Sequence, residues 1–159
     1  MSEKVVWDKS KGEIRIWGER HTTIDPKRLC DHLSALVGAK VASVMMNNLE
    51  YRLGKDAVAQ LRKEKPQAEI TDLIDTLIEL DAIAGIGVVK VTFATKLEPP
   101  VVVEIGNPCM TENTGAAKSY LFSWWAGALT ALLNRQLDPK DGIYEKEKDI
   151  ISCQLVPRA

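Results

Sequence analysis

Between Ser119 and Asn134 the chain carries no charge, and this run holds Tyr120, Phe122, Trp124 and Trp125. On a helical wheel Ala117, Tyr120, Leu121, Trp124, Ala128 and Leu132 form one apolar face, which Phe122, Trp125, Leu129 and Leu133 widen. The remaining arc is small or weakly polar: Ser119, Ser123, Ala126, Gly127, Thr130 and Asn134. A helix apolar over so much of its circumference is buried rather than merely amphipathic. The small arc lets a second backbone approach closely, or leaves room for something that is not protein. The uncharged run is shorter than the ~20 residues a bilayer crossing needs, and polar groups interrupt it, so it reads as a core helix within Thr114 to Leu137.

The rest of the chain has to be arranged around that helix. At 159 residues it fits one domain with a sizeable core. Its 21 basic and 22 acidic residues are scattered, which leaves no electrostatic footprint for nucleic acid and no polybasic membrane patch. The first residues, MSEKVVWDKSKGE, lack the apolar core of a signal peptide, and a cytoplasmic protein is expected. Cys30, Cys109 and Cys153 are far apart, without CxxC spacing, and read as buried thiols rather than a disulfide framework or a metal site.

Lys4 to Trp7 and Glu13 to Trp17 are strand-like runs around a turn at Asp8 to Gly12 and predict a hairpin. Asp25-Pro26 predicts a helix start, with Asp25 as N-cap and Pro26 at the first helical position. Leu29, Leu33, Leu36, Val37, Val41, Val44 and Met45 keep a helical period past Gly38, which bends this helix or splits it. The second part is expected to run through Tyr51 toward Gly54, followed by a short helix over Asp56 to Glu64. Another helix is predicted from about Ala68 to Ile83, ended by Gly85-Ile86-Gly87. Val89, Val91 and Phe93 then alternate with Lys90 and Thr92, the period of a half-buried strand, and Val101 to Ile105 reads as its return. A last hairpin is expected from Ile143 to Lys146 and Ile150 to Val156. This order predicts an α+β domain with helices on one side of an antiparallel sheet.

No nucleophile stands beside a base in any recognisable pattern. Gly85-Ile86-Gly87 lacks a third glycine and follows a helix rather than a strand, so it is a turn and not a dinucleotide site. His21 falls in a polar loop, and His32, beside Asp31, lies on the first helix, where a solitary histidine is ordinarily a surface or core residue. No residues support an enzyme, and no cofactor is expected. The aromatic pair Trp124-Trp125 is either plain core or one wall of an apolar chamber.

Several segments carry a resemblance: Gly85-Ile86-Gly87 with its strand pair, Val103-Glu104-Ile105-Gly106-Asn107, Trp125-Ala126-Gly127-Ala128-Leu129, Ile143-Tyr144-Glu145 and Cys153-Gln154-Leu155. Together they resemble the 4-vinyl-reductase (hydrocarbon-binding) domain family. Its members include sensor domains of phenol- and toluene-responsive regulators, and its fold is shared with small subunits of the TRAPP vesicle-tethering complex and with haem-based nitric-oxide sensors. The resemblance spans roughly residues 84–156. It implies an α+β domain, dimerisation through helices, and a buried apolar pocket that binds small molecules without transforming them. Metal-binding members carry a cysteine where this chain has Phe122 and another where it has Lys148, leaving Glu145 and Cys153 as the matching positions. Two ligands cannot form the closed four-coordinate site of structural zinc, so no metal is expected. Cys109 stands where phenol sensors carry an aromatic residue.

The sequence is therefore read as a homodimeric binder or sensor of a small hydrophobic ligand, with no nucleic acid and no membrane span. The ligand is expected between the sheet face carrying Val91 and Phe93 and the long helix at Tyr120 and Trp124, with Met45 and Cys109 completing the wall. The alternative is a scaffold or interaction subunit with a protein partner, in which side chains fill the same core. The surfaces expected to form the dimer are the stripes over Leu29 to Val44 and Ile70 to Leu80.

Overall fold

The computed structural model describes residues 5–8, 10, 13–16, 19–21, 26–109 and 115–158. Three short antiparallel strands open it: β1 (Val5–Asp8), β2 (Glu13–Ile16) and β3 (Glu19–His21). The first two form the expected hairpin, with Val5 opposite Ile16. The strand β3 replaces the loop expected around His21. The proposed N-cap Asp25 lies outside the described residues, as do Lys4, Trp17 and the side chains of Ala117 and Ser119.

Helix α1 (Pro26–Val37) stops at Gly38, whose φ of 83° is a left-handed conformation that glycine adopts without strain. Helix α2 then runs unbroken from Ala39 to Glu64. The expected boundary near Gly54 is absent, because this glycine answers a packing demand. A Cβ there would run into the Trp124 carbonyl oxygen and lie 2.9 Å from the Ala128 nitrogen. The reciprocal contact is made by Gly127, where a Cβ would strike the Tyr51 carbonyl oxygen. Gly127 belongs to α4 (Gly115–Leu133), the uncharged helix, so its small arc is filled by the backbone of α2. Ser123 donates to Asn47 Oδ1 at 2.8 Å, Tyr51 donates its hydroxyl to Thr130 at 3.0 Å, and Arg62 bonds the Leu132 carbonyl at 3.1 Å. Partners advance together along both helices, which therefore run in the same direction.

Helix α3 (Ile70–Ile83) leads through Gly85 and Gly87, both at positive φ, into a four-stranded antiparallel sheet. Its strands are β4 (Val88–Thr95), β5 (Glu98–Gly106), β6 (Leu137–Glu145) and β7 (Ile150–Pro157), in the order β4-β5-β7-β6. Three rows cross its inner face: Val89, Ile105 and Ile151; Val91, Val103 and Cys153; Phe93, Val101 and Leu155. The middle strand side chains are fully buried, as alternation predicts. β6 starts six residues earlier than expected. Pro139 and Asp141-Gly142 disguise this strand, and it accommodates them with a register shift between Lys140 and Ile143 and with Asp141 at φ 53°.

α4 lies between α2 and the sheet, with α1 beside α2 and α3 beside β4. Phe122, Trp125 and Leu129 are buried to within about a hundredth of their surface. Each such side chain contributes roughly 1.5–3 kcal/mol relative to exposure. The result is an α+β fold organised around one helix. No helix among the described residues is long and apolar enough to cross a membrane.

The double glycine contact gives a first prediction. Gly127→Ala should destabilise the protein by about 1–3 kcal/mol in chemical denaturation, although alanine favours helix by roughly 1 kcal/mol. Gly106→Ala, whose Cβ would meet nothing nearer than 3.8 Å, should be neutral or slightly stabilising. Equal midpoints for the two variants would contradict the close approach.

Candidate functional site

The five residues expected to line a ligand site occupy different depths. Phe93 is half-buried on the inner face of β4, beside Val101. Tyr120 is 4% exposed in the second turn of α4, and Trp124 is half-buried one turn later. Trp124 meets Trp125 edge to face, with centroids 5.2 Å apart and planes at 74°. Cys109 sits in an exposed loop after β5, yet its thiol accepts a hydrogen bond from the buried Tyr120 hydroxyl. Met45 is on the outer face of α2 and 49% exposed, whereas its neighbour Met46 is buried. Tyr120 and Cys109 are thus in direct contact, Phe93 and Trp124 pack against the same core, and Met45 stands apart.

A polar group inside that core was not singled out from sequence. Asp81, near the end of α3, is 7% exposed and accepts the Trp125 indole N–H at 2.8 Å. A buried indole N–H left without an acceptor costs about 1–3 kcal/mol, so Asp81 and Trp125 fix one another and tie α3 to α4. Two backbone bonds bring the Cys109 loop to the same place. Ile86 N–H bonds the Asp81 carbonyl at 2.9 Å, and Cys109 N–H bonds the Ile86 carbonyl at 2.9 Å. The Gly85-Ile86-Gly87 turn is therefore the clamp between Asp81 and Cys109.

Glu50 adds a second carboxyl from α2. It is half-buried, on the face of α2 that buries Met46, Gly54, Val58 and Leu61. The signal for both acids lies in the period. Leu73, Leu77 and Asp81 are four apart on the buried face of α3, and Met46, Glu50 and Gly54 keep the same spacing on α2, where an acid is uncommon.

Burial dominates the electrostatics of this cluster. It raises Asp81 to about 7, against the lowering effect of the Trp125 bond, and the nearby Glu50 adds to the rise. Burial also raises Glu50 to about 7. The Tyr120 hydroxyl is pushed well above its usual range by burial, then by Cys109 and Glu50. Burial pushes the Cys109 thiol up, and Tyr120 partly offsets this. Among the described residues no basic side chain contributes to any of these shifts. Both carboxyls thus titrate near neutral pH, far above the usual carboxylate range, while the thiol and the phenol stay protonated there. The high thiol and phenol values do not describe activated nucleophiles.

The two positions matching the metal-binding pattern serve other purposes. Glu145 pairs with Lys148 at 2.7 Å, and the buried Cys153 donates to the Lys140 carbonyl at 3.2 Å with its thiol pushed up to about 11. Among the described residues no group of three or more His, Cys, Asp or Glu side chains could hold a metal ion.

The raised carboxyls give a prediction with a definite sign. Between about pH 4 and 7 the folded state retains protons that the unfolded chain has released, so stability falls as pH rises through that window. Each group contributes a slope of at most about 1.4 kcal/mol per pH unit. Asp81→Asn keeps an acceptor for Trp125 but cannot titrate, and should make the decline in thermal stability from pH 5 to pH 8 shallower. An unchanged slope would show that Asp81 is ionised throughout.

By sequence, no family model matches the chain and no curated protein matches it. By structure, it is similar to the phenol-responsive sensory domain of the transcription activator PoxR, solved with phenol. The likeness has a TM-score of 0.74 at 10% identity, covering 97% of this chain and 85% of that one. At that identity the two share a fold.

Proposed function

We propose that the chain is a non-catalytic receptor for a small, largely apolar molecule carrying one hydrogen-bonding head group. The observation that carries this reading is the buried Asp81–Trp125 bond, beside the buried Tyr120 and the Cys109 loop at the edge of a largely apolar core. Trp125 alone accounts for one acceptor at this position, and the Asp81 carboxyl keeps a further oxygen for a guest. The PoxR domain adds support, since a protein of this fold is described as phenol-responsive. The head group would meet Asp81, Tyr120 and Cys109 and the apolar body would lie against Trp124, while Phe93, two rows further along β4 than Val89, would be reached only by a longer body. Uncharged donors such as phenols and alcohols suit the site, whereas a carboxylate would meet Asp81 and Glu50 with no basic side chain among the described residues to balance it.

Dimerisation belongs to the same proposal. Leu36, Val37, Val41, Val44, Met45, Leu49 and Leu53 leave an apolar stripe along α1 and α2, with Leu36 81% exposed. By contrast, Leu73, Ile74 and Leu77 of α3 are buried within the chain, which leaves the α1–α2 stripe as the surface for a two-fold partner. Met45 lies on this stripe, so it would join the ligand wall only where a second copy covers it.

Titration with aromatic and aliphatic alcohols should change tryptophan emission saturably, and the matched carboxylates should not. Cys109→Phe should abolish the response with little change in thermal stability if the space pre-exists. In a filled core the same change overpacks, costing about 1–3 kcal/mol. A destabilised variant, together with no response to any compound, would replace this reading with a filled interaction subunit. Sedimentation should report a dimer at micromolar concentration, reduced to a monomer that remains folded by Val44→Glu. A wild-type monomer would contradict the dimer.

A further inference from the structure

A cavity lies apart from the Asp81 cluster, between α2, the middle of α4 and the ends of β6 and β7. It is a cleft of about 420 Å³, within the roughly 300–1,000 Å³ range of small-molecule sites. Its frame is fixed by hydrogen bonds. Ser123 and Asn47 are joined at 2.8 Å on the floor, and the Tyr51 hydroxyl is held by Thr130. On the rim, Arg158 grips Asp138 through Nε at 2.6 Å and Nη2 at 2.9 Å, and its backbone N–H bonds the Gln136 carbonyl at 3.0 Å.

What the frame leaves over defines the guest. Among the described residues the side-chain amides of Asn48 and Gln136 have no partner, and Arg158 keeps its Nη1 donors. Each amide presents a donor beside an acceptor, and the guanidinium presents donors in a rigid plane. The two charges lining the cleft cancel in the Asp138–Arg158 pair, so a charged guest would find no unmatched counter-charge. The Tyr51 ring and Pro139 supply apolar patches for a C–H face. Adjacent hydroxyls on a sugar ring match this alternation of donors and acceptors.

We propose that this cleft binds a neutral polyhydroxylated molecule of about monosaccharide size, independently of the interior site. The test is a heteronuclear NMR titration of the intact protein with glucose, galactose and myo-inositol, with glucose 6-phosphate and glucosamine as charged comparators. Saturable shifts are expected at the Asn48 and Gln136 side-chain amides and at Arg158 for a neutral member of the panel. Asn48→Ala and Gln136→Ala should each weaken that binding about tenfold, and Gln136→Ala, at an exposed position away from the α1–α2 stripe, should do so with thermal unfolding unchanged. No shift from any neutral compound at tens of millimolar would overturn the proposal. So would tighter binding of a charged comparator, or affinity unaffected by both truncations.

Discussion

The close approach of α2 and α4 at Gly54 and Gly127 is the constraint on which the rest of the structure depends. Two backbones meeting without an intervening side chain allow Ser123, Thr130, Asn47 and Tyr51 to pair across the helices. That contact uses the small arc of α4 and turns its broad aromatic side toward α3 and the sheet. Trp125 consequently enters the core with an indole N–H that needs an acceptor, and Asp81 supplies it. The buried carboxyl is therefore a consequence of the helix packing as much as a feature of α3.

Much of this architecture was legible in the sequence, for physical reasons that differ by element. The uncharged run specified a buried helix because no exposed helix tolerates that composition. Alternation in Val89 to Phe93 and Val101 to Ile105 specified a sheet face, and Gly38 marked a helix break that its positive φ explains. Gly54 was misleading, since a glycine that ends a helix and one that admits a neighbouring backbone look alike in one dimension. β6 was obscured by Pro139 and Asp141-Gly142, which ordinarily signal turns but here sit in an edge strand with a shifted register.

The candidate site was readable in part. Tyr120, Trp124 and Phe93 stood out as aromatics on elements that had to pack together. Asp81 and Glu50 did not, because a single acid in a helix ordinarily faces water. Only their spacing of four from buried neighbours distinguishes them. The importance of Cys109 arises from two backbone bonds at the Ile86 turn, which no local pattern encodes. Met45 and Met46 illustrate the limit of periodicity, as one residue separates a buried methionine from an exposed one.

On this account the proposed site lies where burial lifts two carboxyls to titrate near neutral pH, rather than where nucleophiles are activated. The most direct measurement is the Trp125 indole N–H resonance, assigned with Trp124→Phe and followed while an aromatic alcohol is added. The account predicts a saturable shift of the Trp125 signal, lost in Asp81→Ala while the protein remains folded. A Trp125 resonance that stays fixed through a broad panel of alcohols and phenols would contradict it and leave the Asp81–Trp125 bond as a purely structural tie.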